Sequence, residues 1–342
     1  MKLDVYALGS ALMDIQIHVT DAQLTQLGLQ KGTMRLTQRA EQEEILKQLL
    51  TAAELSLDHA GDKLQVAAGG SAANTVYGIA QLGGTAALCG KVARDRFGDA
   101  YIRNTRESGV LFNGIQVDGS TGTCVVLITD DAQRTMLTHL GVASDLTIED
   151  IDPEHLRQST YLYLEGYLFD SDIATNTMFA AVKMARQHNV SIALTASDLL
   201  CVERHKDMLL DLLRRDVDLL FANADEARAL SDTETLEEAI RKLSELCRGV
   251  AVTDGARGSV VCFNRTPIRI KPFIVTPIDT TGAGDSFAAG LLYGLTNGYS
   301  LQDSGTLASF FASRVVAQIG PRYTGNIGQE IRSLKIARTQ QV

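Results

Sequence analysis

The chain has 342 residues, 45% of them hydrophobic, and a formal net charge of −9. That length allows a large α/β core, and the acidic balance excludes the basic footprint of a nucleic-acid binder while leaving backbone dipoles able to hold a small anion. The five cysteines form no C-x-x-C pair, the six histidines show no metal-ligand spacing, and no run approaches the ~18 apolar residues of a membrane span. VYALGSALM (5–13) is too short for a signal peptide and is bracketed by Asp4 and Asp14. The expectation is a soluble cytoplasmic protein with reduced thiols, without nucleic-acid or membrane partners.

In chain order, DVYALG (4–9) predicts a first strand. TQRAEQEEILKQLLTAAEL (37–55) predicts an amphipathic helix with Thr37 as its N-cap, and SAANTVYGIAQLG (71–83) a helix closed by Gly83-Gly84. AALCGKV (86–92) reads as a strand and FGDAYIRNTRESG (97–109) as a helix ending at glycine. Further strands are expected at 160–166, 191–196, 217–223 and 249–255, with helices near 173–188, 203–215, 224–231 and 234–247 between them. Helical stretches at 284–296, 301–318 and 327–337 close the chain. Continuous apolar strands separated by helices require a mostly parallel sheet covered on both faces.

Two segments break this alternation. Residues 15–36 and 111–140 are rich in β-formers with polar alternation, as in TGTCVVLITDDAQRTMLTHL (121–140). Such strands need a second, smaller sheet, and neither segment is long enough to be a domain alone. The expected architecture is a three-layer α/β fold. Residues 1–14, 37–110 and 141–342 form the large nucleotide-binding domain, and 15–36 with 111–140 form a small β lid over the acceptor site.

The stretch that carries chemistry is DTTGAGDSF (279–287). Familiar phosphate loops do not match elsewhere. GGTAALCGKV (83–92) has the wrong spacing for a P-loop and places Val92 where Ser or Thr must meet magnesium. The dinucleotide pattern begins at Gly282-Ala283-Gly284 but meets Phe287 at its third glycine. Gly282, Ala283 and Gly284 are small enough to let a phosphate reach backbone N–H groups, and the helix that starts there adds its positive end. Phosphoryl transfer needs charge stabilisation and a carboxylate to take the proton of the attacking hydroxyl, and Asp285 stands at that helix start. An N-cap aspartate after a glycine turn is the plainer alternative.

In context, DTTGAGDSF resembles the C-terminal signature of the ribokinase-like (PfkB) family of sugar and nucleoside kinases. AGGSAANTVYGIAQLGG (68–84) resembles the family's N-terminal signature. NADE (223–226) is similar to its N-x-x-E motif, and TDGARGS (253–259) to its nucleotide-side strand and turn. The resemblance implies a ribokinase-like fold and an ATP-dependent kinase of alcohol groups that uses Mg2+ and K+. Its partner would be a small-molecule nucleoside or sugar, and it would act as a monomer or homodimer. By the same resemblance Asp285 is the catalytic base and Gly282, Ala283 and Gly284 form the anion hole. Asn223 and Glu226 organise the magnesium and phosphate shell, Glu226 through water. Thr253, Gly255 and Gly258 line the ATP side, and Arg134 reaches the transferring phosphate from the lid. Asp279 and Thr281 resemble a monovalent-cation loop, with a satisfied turn as the alternative. Asp14 takes two sugar hydroxyls, and Gly69, Gly70 and Asn74 let the sugar pack at a helix start.

Within the family the chain resembles the adenosine kinases most. Ser71 follows the glycine pair, TGTCVVLI (121–128) carries their threonine-glycine-threonine-cysteine string, and YLEGYLF (163–169) puts Tyr167 where they stack an aromatic ring on the base. Leu12, Leu36, Cys124, Met136 and Tyr167 could supply a flat apolar purine slot. Two departures keep other acceptors open. Ser10 stands where those enzymes carry asparagine, and the Tyr167 hydroxyl would suit the oxygen of inosine or guanosine. Ribose, fructose or 2-keto-3-deoxygluconate remain alternatives within the family, although only Lys31 and Arg35 could meet a sugar acid. A non-catalytic nucleotide sensor is the alternative from another class.

Overall fold

The computed structural model describes residues 2–52 and 64–338. The apolar runs assemble into a nine-stranded sheet. From one edge to the other its order is Thr266–Ile270, Ser259–Phe263, Gly249–Thr253, Leu219–Asn223, Ser191–Thr195, Ser159–Glu165, Leu3–Leu8, Ala86–Cys89 and Leu111–Phe112. From Gly249–Thr253 onward the strands pair in parallel, and the two strands at the other edge are antiparallel. These strands are apolar on both sides because both faces are covered. One core packs Leu162, Leu164, Ile192 and Leu220 under the helices Asp172–Gln187 and Leu199–Arg215. The other packs Val5, Ala7, Tyr163 and Phe221 under Ser71–Gln81, Ala283–Thr296 and Leu301–Val315.

The second sheet has five strands, in the order Met34–Leu36, Arg134–His139, Gly122–Ile128, Leu12–His18 and Leu64–Gly69. Its two faces follow the period of two along each strand. Val125, Leu127 and Leu137 join Ile45 and Leu49 of the helix Arg39–Ala52. The alternate residues Leu12, Cys124 and Val126 face the other way, with Met136 against them. Strand Leu64–Gly69 carries the chain out of this sheet directly into helix Ser71–Gln81, so the two sheets meet at the glycine pair.

Several elements differ from their predicted form, each for a local reason. Thr37 does not cap its helix. Its N–H donates to Thr138 O (2.8 Å), continuing the strand pairing, its hydroxyl has no partner, and the first helical amides turn to Gln38 O instead. Residues 53–55 of that predicted helix lie outside the described residues. AALCGKV breaks at Gly90 into Ala86–Cys89 and Lys91–Ala93, the latter pairing with Ile115–Val117 as a separate ribbon. The helix predicted from 203 starts at Leu199, because the Asp198 carboxylate accepts from Cys201 N (2.6 Å) and caps it earlier. The stretch 327–337 forms only Ile327–Glu330 and one 3-10 turn.

Candidate active site

The site lies outside the carboxyl ends of the parallel strands, where open α/β sheets hold their ligands. It starts from the turn that leads into helix Ala283–Thr296. Asp279 is fully buried. Its Oδ1 accepts from Thr281 N (2.8 Å) and Thr281 Oγ1 (2.6 Å), and its Oδ2 from Gly320 N (2.8 Å). Asp279 and Thr281 therefore form a satisfied turn. That turn sets Gly282 at φ +75° as the N-cap, where a Cβ would lie 2.3 Å from Pro321 O. Gly284 has the opposite surroundings, with nothing within 4 Å of where a Cβ would sit. Glycine in a helix costs about 1 kcal/mol relative to alanine. No protein atom requires a glycine here, and Gly284 is exposed.

Asp285 follows in the first turn. Its Oδ1 accepts from Ser71 Oγ (2.7 Å) and its Oδ2 from Asn74 Nδ2 (3.0 Å). Burial pushes its pKa up, while those two bonds and the charges of Arg134 and Arg322 pull it down. An ionised carboxylate has about four lone-pair sites, so two remain free to take a proton. Ser71 and Asn74 project from the start of their helix, whose N-cap Gly70 has φ +90° because a Cβ would meet Ser10 O at 2.2 Å.

Asp14 comes from the second sheet and is 5% exposed. Burial pushes its pKa up to about 7, the Arg322 charge works against that, and Asp285 and Asp279 add to it. A Cβ on Gly69 would lie 2.2 Å from its Oδ2, so the glycine pair makes room for this carboxylate. Arg134, also from the second sheet, donates from Nη1 to Thr280 O, and Thr280 Oγ1 donates to Ala132 O (3.1 Å). These bonds tie the second sheet to the DTTGAGD turn.

Asp14, Ser71, Asn74, Arg134, Gly282 and Asp285 line one cleft. Its other half is apolar. Leu12, Leu36, Cys124, Val126 and Met136 come from the second sheet and Tyr167 from the 3-10 turn that follows strand Ser159–Glu165 of the large one. The Tyr167 hydroxyl donates to Asp198 Oδ2 (2.7 Å). Its proton is therefore committed inside the protein, and the expected hydroxyl donor for a purine oxygen is not there.

The nucleotide-side residues stand apart from this cleft. Asn223 and Glu226 form a capping box on helix Ala224–Ser231. Asn223 Oδ1 accepts from Asp225 N and Glu226 N (both 2.9 Å), Glu226 Oε2 accepts from Asn223 N (2.9 Å), and Asn223 Nδ2 donates to Glu226 Oε1. Glu226 is buried, which pushes its pKa up to about 7. Thr253 is the register partner of Asn223 across the sheet, and Gly255 and Gly258 follow in the next turn. At Gly258, with φ +93°, a Cβ would lie 2.3 Å from Ile270 O. Among the described residues no group of three or more His, Cys, Asp or Glu could hold a metal ion.

Two participants escape sequence reasoning. Glu165 ends its strand, lines the cleft, and accepts from Ser10 N (2.6 Å) and Ala72 N (2.9 Å), which joins the loop after the first strand to helix Ser71–Gln81. Burial pushes its pKa up to about 7. The signal was a lone acid closing an apolar parallel strand. Arg322 donates to Asn74 Oδ1 (3.0 Å) from a loop 248 residues away, and no local pattern marks it.

The family model for pfkB carbohydrate kinases matches residues 43–326. The chain belongs to the PfkB family. As a PfkB kinase it transfers a phosphoryl group from ATP to a hydroxyl acceptor. The adenosine kinase of Saccharomyces cerevisiae is 27% identical over 94% of this chain and 97% of its own length. A fructokinase of Escherichia coli is 28% identical over 67% of this chain and 77% of its own length. Among solved structures, the adenosine kinase from Sinorhizobium meliloti superposes with a TM-score of 0.90 at 36% identity, covering 97% of this chain and 99% of that one. A probable sugar kinase from Rhizobium etli gives 0.90 at 34% identity, covering 97% and 98%. The PfkB chain thus has the ribokinase-like architecture, a large mostly parallel sheet with a smaller one beside it.

Proposed function

We propose that this PfkB kinase phosphorylates the 5′-hydroxyl of a purine nucleoside, adenosine foremost, giving the monophosphate as in purine salvage. The observation that carries the reading is the apolar half of the cleft. Leu12, Leu36, Cys124, Val126, Met136 and Tyr167 adjoin the polar half, and a free sugar would leave that slot empty.

In this reading Asp14 accepts hydrogen bonds from the two ribose hydroxyls, which fixes the nucleoside with its 5′-oxygen towards Asp285. Asp285, kept in place by Ser71 and Asn74, takes the proton as that oxygen attacks. The amides of Gly282, Ala283 and Gly284 and the positive end of their helix hold the charge that develops on the phosphoryl oxygens, with Arg134 adding a cation from the other side. Thr253, Gly255 and Gly258 take the ATP side. Magnesium, arriving with ATP, supplies charge neutralisation; Glu226, already bonded to Asn223, meets it only through water. Asp279 and Thr281, bonded to each other, shape the turn that presents Gly282. The second sheet acts as a lid that excludes water.

Adenosine is favoured over inosine because the Tyr167 hydroxyl is not free to donate to a purine oxygen. Tyr167 gives its proton to Asp198.

The test is ADP release with Mg-ATP against adenosine, inosine, guanosine, ribose, fructose and 2-keto-3-deoxygluconate. Turnover on adenosine well above the others supports the reading. Turnover on free sugars alone overturns the nucleoside assignment and leaves the kinase chemistry standing.

A further inference from the structure

Asp285 is steadied by Asn74, and Asn74 is itself steadied by a residue from the far end of the chain. Arg322 lies in the loop after helix Leu301–Val315. Its Nε donates to Asn74 Oδ1 (3.0 Å), its Nη1 donates to Asn104 Oδ1 (2.7 Å), and the guanidinium sits 4.8 Å from the centre of the Tyr77 ring. Nη2 is buried beside Tyr101, outside hydrogen-bond geometry. Two helices, Ser71–Gln81 and Arg96–Glu107, therefore hold this side chain in one orientation. It does not line the cleft.

An arginine can only donate. An asparagine amide can present either end to a carboxylate's surroundings, and its choice is set by its other partner. With Arg322 occupying Asn74 Oδ1, the NH2 end must face Asp285, where it donates to Oδ2 (3.0 Å). Ser71 fixes the other oxygen.

We propose that Arg322 is a positioning residue for phosphoryl transfer: acting through Asn74, it fixes the polarity of the amide that orients the Asp285 carboxylate towards the acceptor hydroxyl. This rests on the kinase reading above for its effect on rate, but not for its effect on Asn74. Lysine at 322 keeps a donor that can reach Oδ1 without the fork that also grips Asn104. Methionine removes both donor and charge.

The test uses the full-length protein with Arg322→Met and Arg322→Lys. The side-chain NH2 resonances of Asn74, assigned by their loss in Asn74→Ala, are read in 1H–15N spectra, and kcat and the acceptor KM are measured in parallel. The expected result is a displaced Asn74 resonance in Arg322→Met. Its kcat should fall about 30-fold with acceptor KM within about twofold, since misplacing a reacting group by an ångström costs on the order of 100-fold. Arg322→Lys should recover part of the rate. If the methionine variant does not fold, the lysine variant carries both readouts, with a displaced resonance and a smaller fall in kcat expected. An unmoved Asn74 resonance, or a loss confined to acceptor KM or to melting temperature, overturns the proposal. Absence of transfer by the unaltered protein on every acceptor would sink the kinase reading instead, and the Asn74 resonance would still decide the role of Arg322.

Discussion

The acceptor end of the site and its nucleotide end are built on opposite plans. At the acceptor end, Asp14, Glu165 and Asp285 are gathered below the surface of one cleft, each with its pKa pushed up by burial. Glu165 and Asp285 are held by partners from distant parts of the chain, so the geometry there exists before any ligand arrives. At the nucleotide end, Asn223 and Glu226 bond to each other, Asp254 pairs with Arg257 three residues on, and Gly255 has open space around it. All of those contacts are local. The comparison teaches where specificity is stored. In the proposed reading, the end that recognises one hydroxyl is preorganised by long-range contacts at an electrostatic cost, while the end that receives a common nucleotide uses short motifs that stabilise themselves.

The largest expected effect breaks the acceptor end. Asp285→Asn should lower kcat about 10³-fold or more, with ATP and nucleoside binding retained in calorimetry. Turnover near that of the unaltered protein would remove Asp285 from the reaction.

Next is Gly284→Ala. The added methyl meets no protein atom and should stabilise the helix by about 0.5–1 kcal/mol while lowering kcat/KM roughly tenfold by narrowing the anion hole. Opposite signs in melting temperature and activity are the result to look for. A stabilised variant of full activity would mean that phosphate does not approach this amide.

The third prediction separates the two ends by pH. Asp14 holds its proton up to about 7, and a neutral carboxyl is the poorer partner for two hydroxyls. Acceptor KM should therefore rise roughly tenfold between pH 8 and 6. Glu226 also titrates near 7, so any matching drift in ATP KM should vanish in Glu226→Gln while the acceptor drift stays. Loss of both drifts together would show that the ends are not independent.

The smallest effect concerns stability. Asp14, Glu165 and Glu226 have ordinary pKa values of 3.8, 4.5 and 4.5, and burial raises each to about 7 on folding. The native state then binds more protons than the unfolded one between about pH 4 and 7, so stability falls as pH rises through that window. Melting temperature should be higher at pH 5.5 than at 7.5. Asp14→Asn and Glu165→Gln should each flatten the difference.

The same contrast explains what was legible in the sequence. DTTGAGDSF, GGSAAN and NADE could be read because their chemistry is local: a permissive backbone beside a charge at a helix start. The alternation of apolar runs and helices also announced the parallel sheet. Thr37 misled because a threonine before a helix suits a cap equally well as the end of a strand, and the pairing with Thr138 decided it. Strand Leu64–Gly69 was hidden because its outer residues Gln65 and Val66 are exposed at a sheet edge, where apolar patterning is weak. Glu165 and Arg322 were illegible for a different reason. Their partners lie 155 and 248 residues away, so nothing in their own neighbourhood distinguishes them from surface charges.

The bond between Arg134 and Thr280 O has a mechanical side. The arginine belongs to the smaller sheet and the carbonyl to the turn that presents the anion hole, and Thr280 Oγ1 returns a bond to Ala132 beside that arginine. The two sheets cannot separate without cutting this latch. In the proposed reading, where the smaller sheet opens to admit a ligand, admission and dismantling of the reactive centre are one movement, because Arg134 leaves the turn as the latch parts.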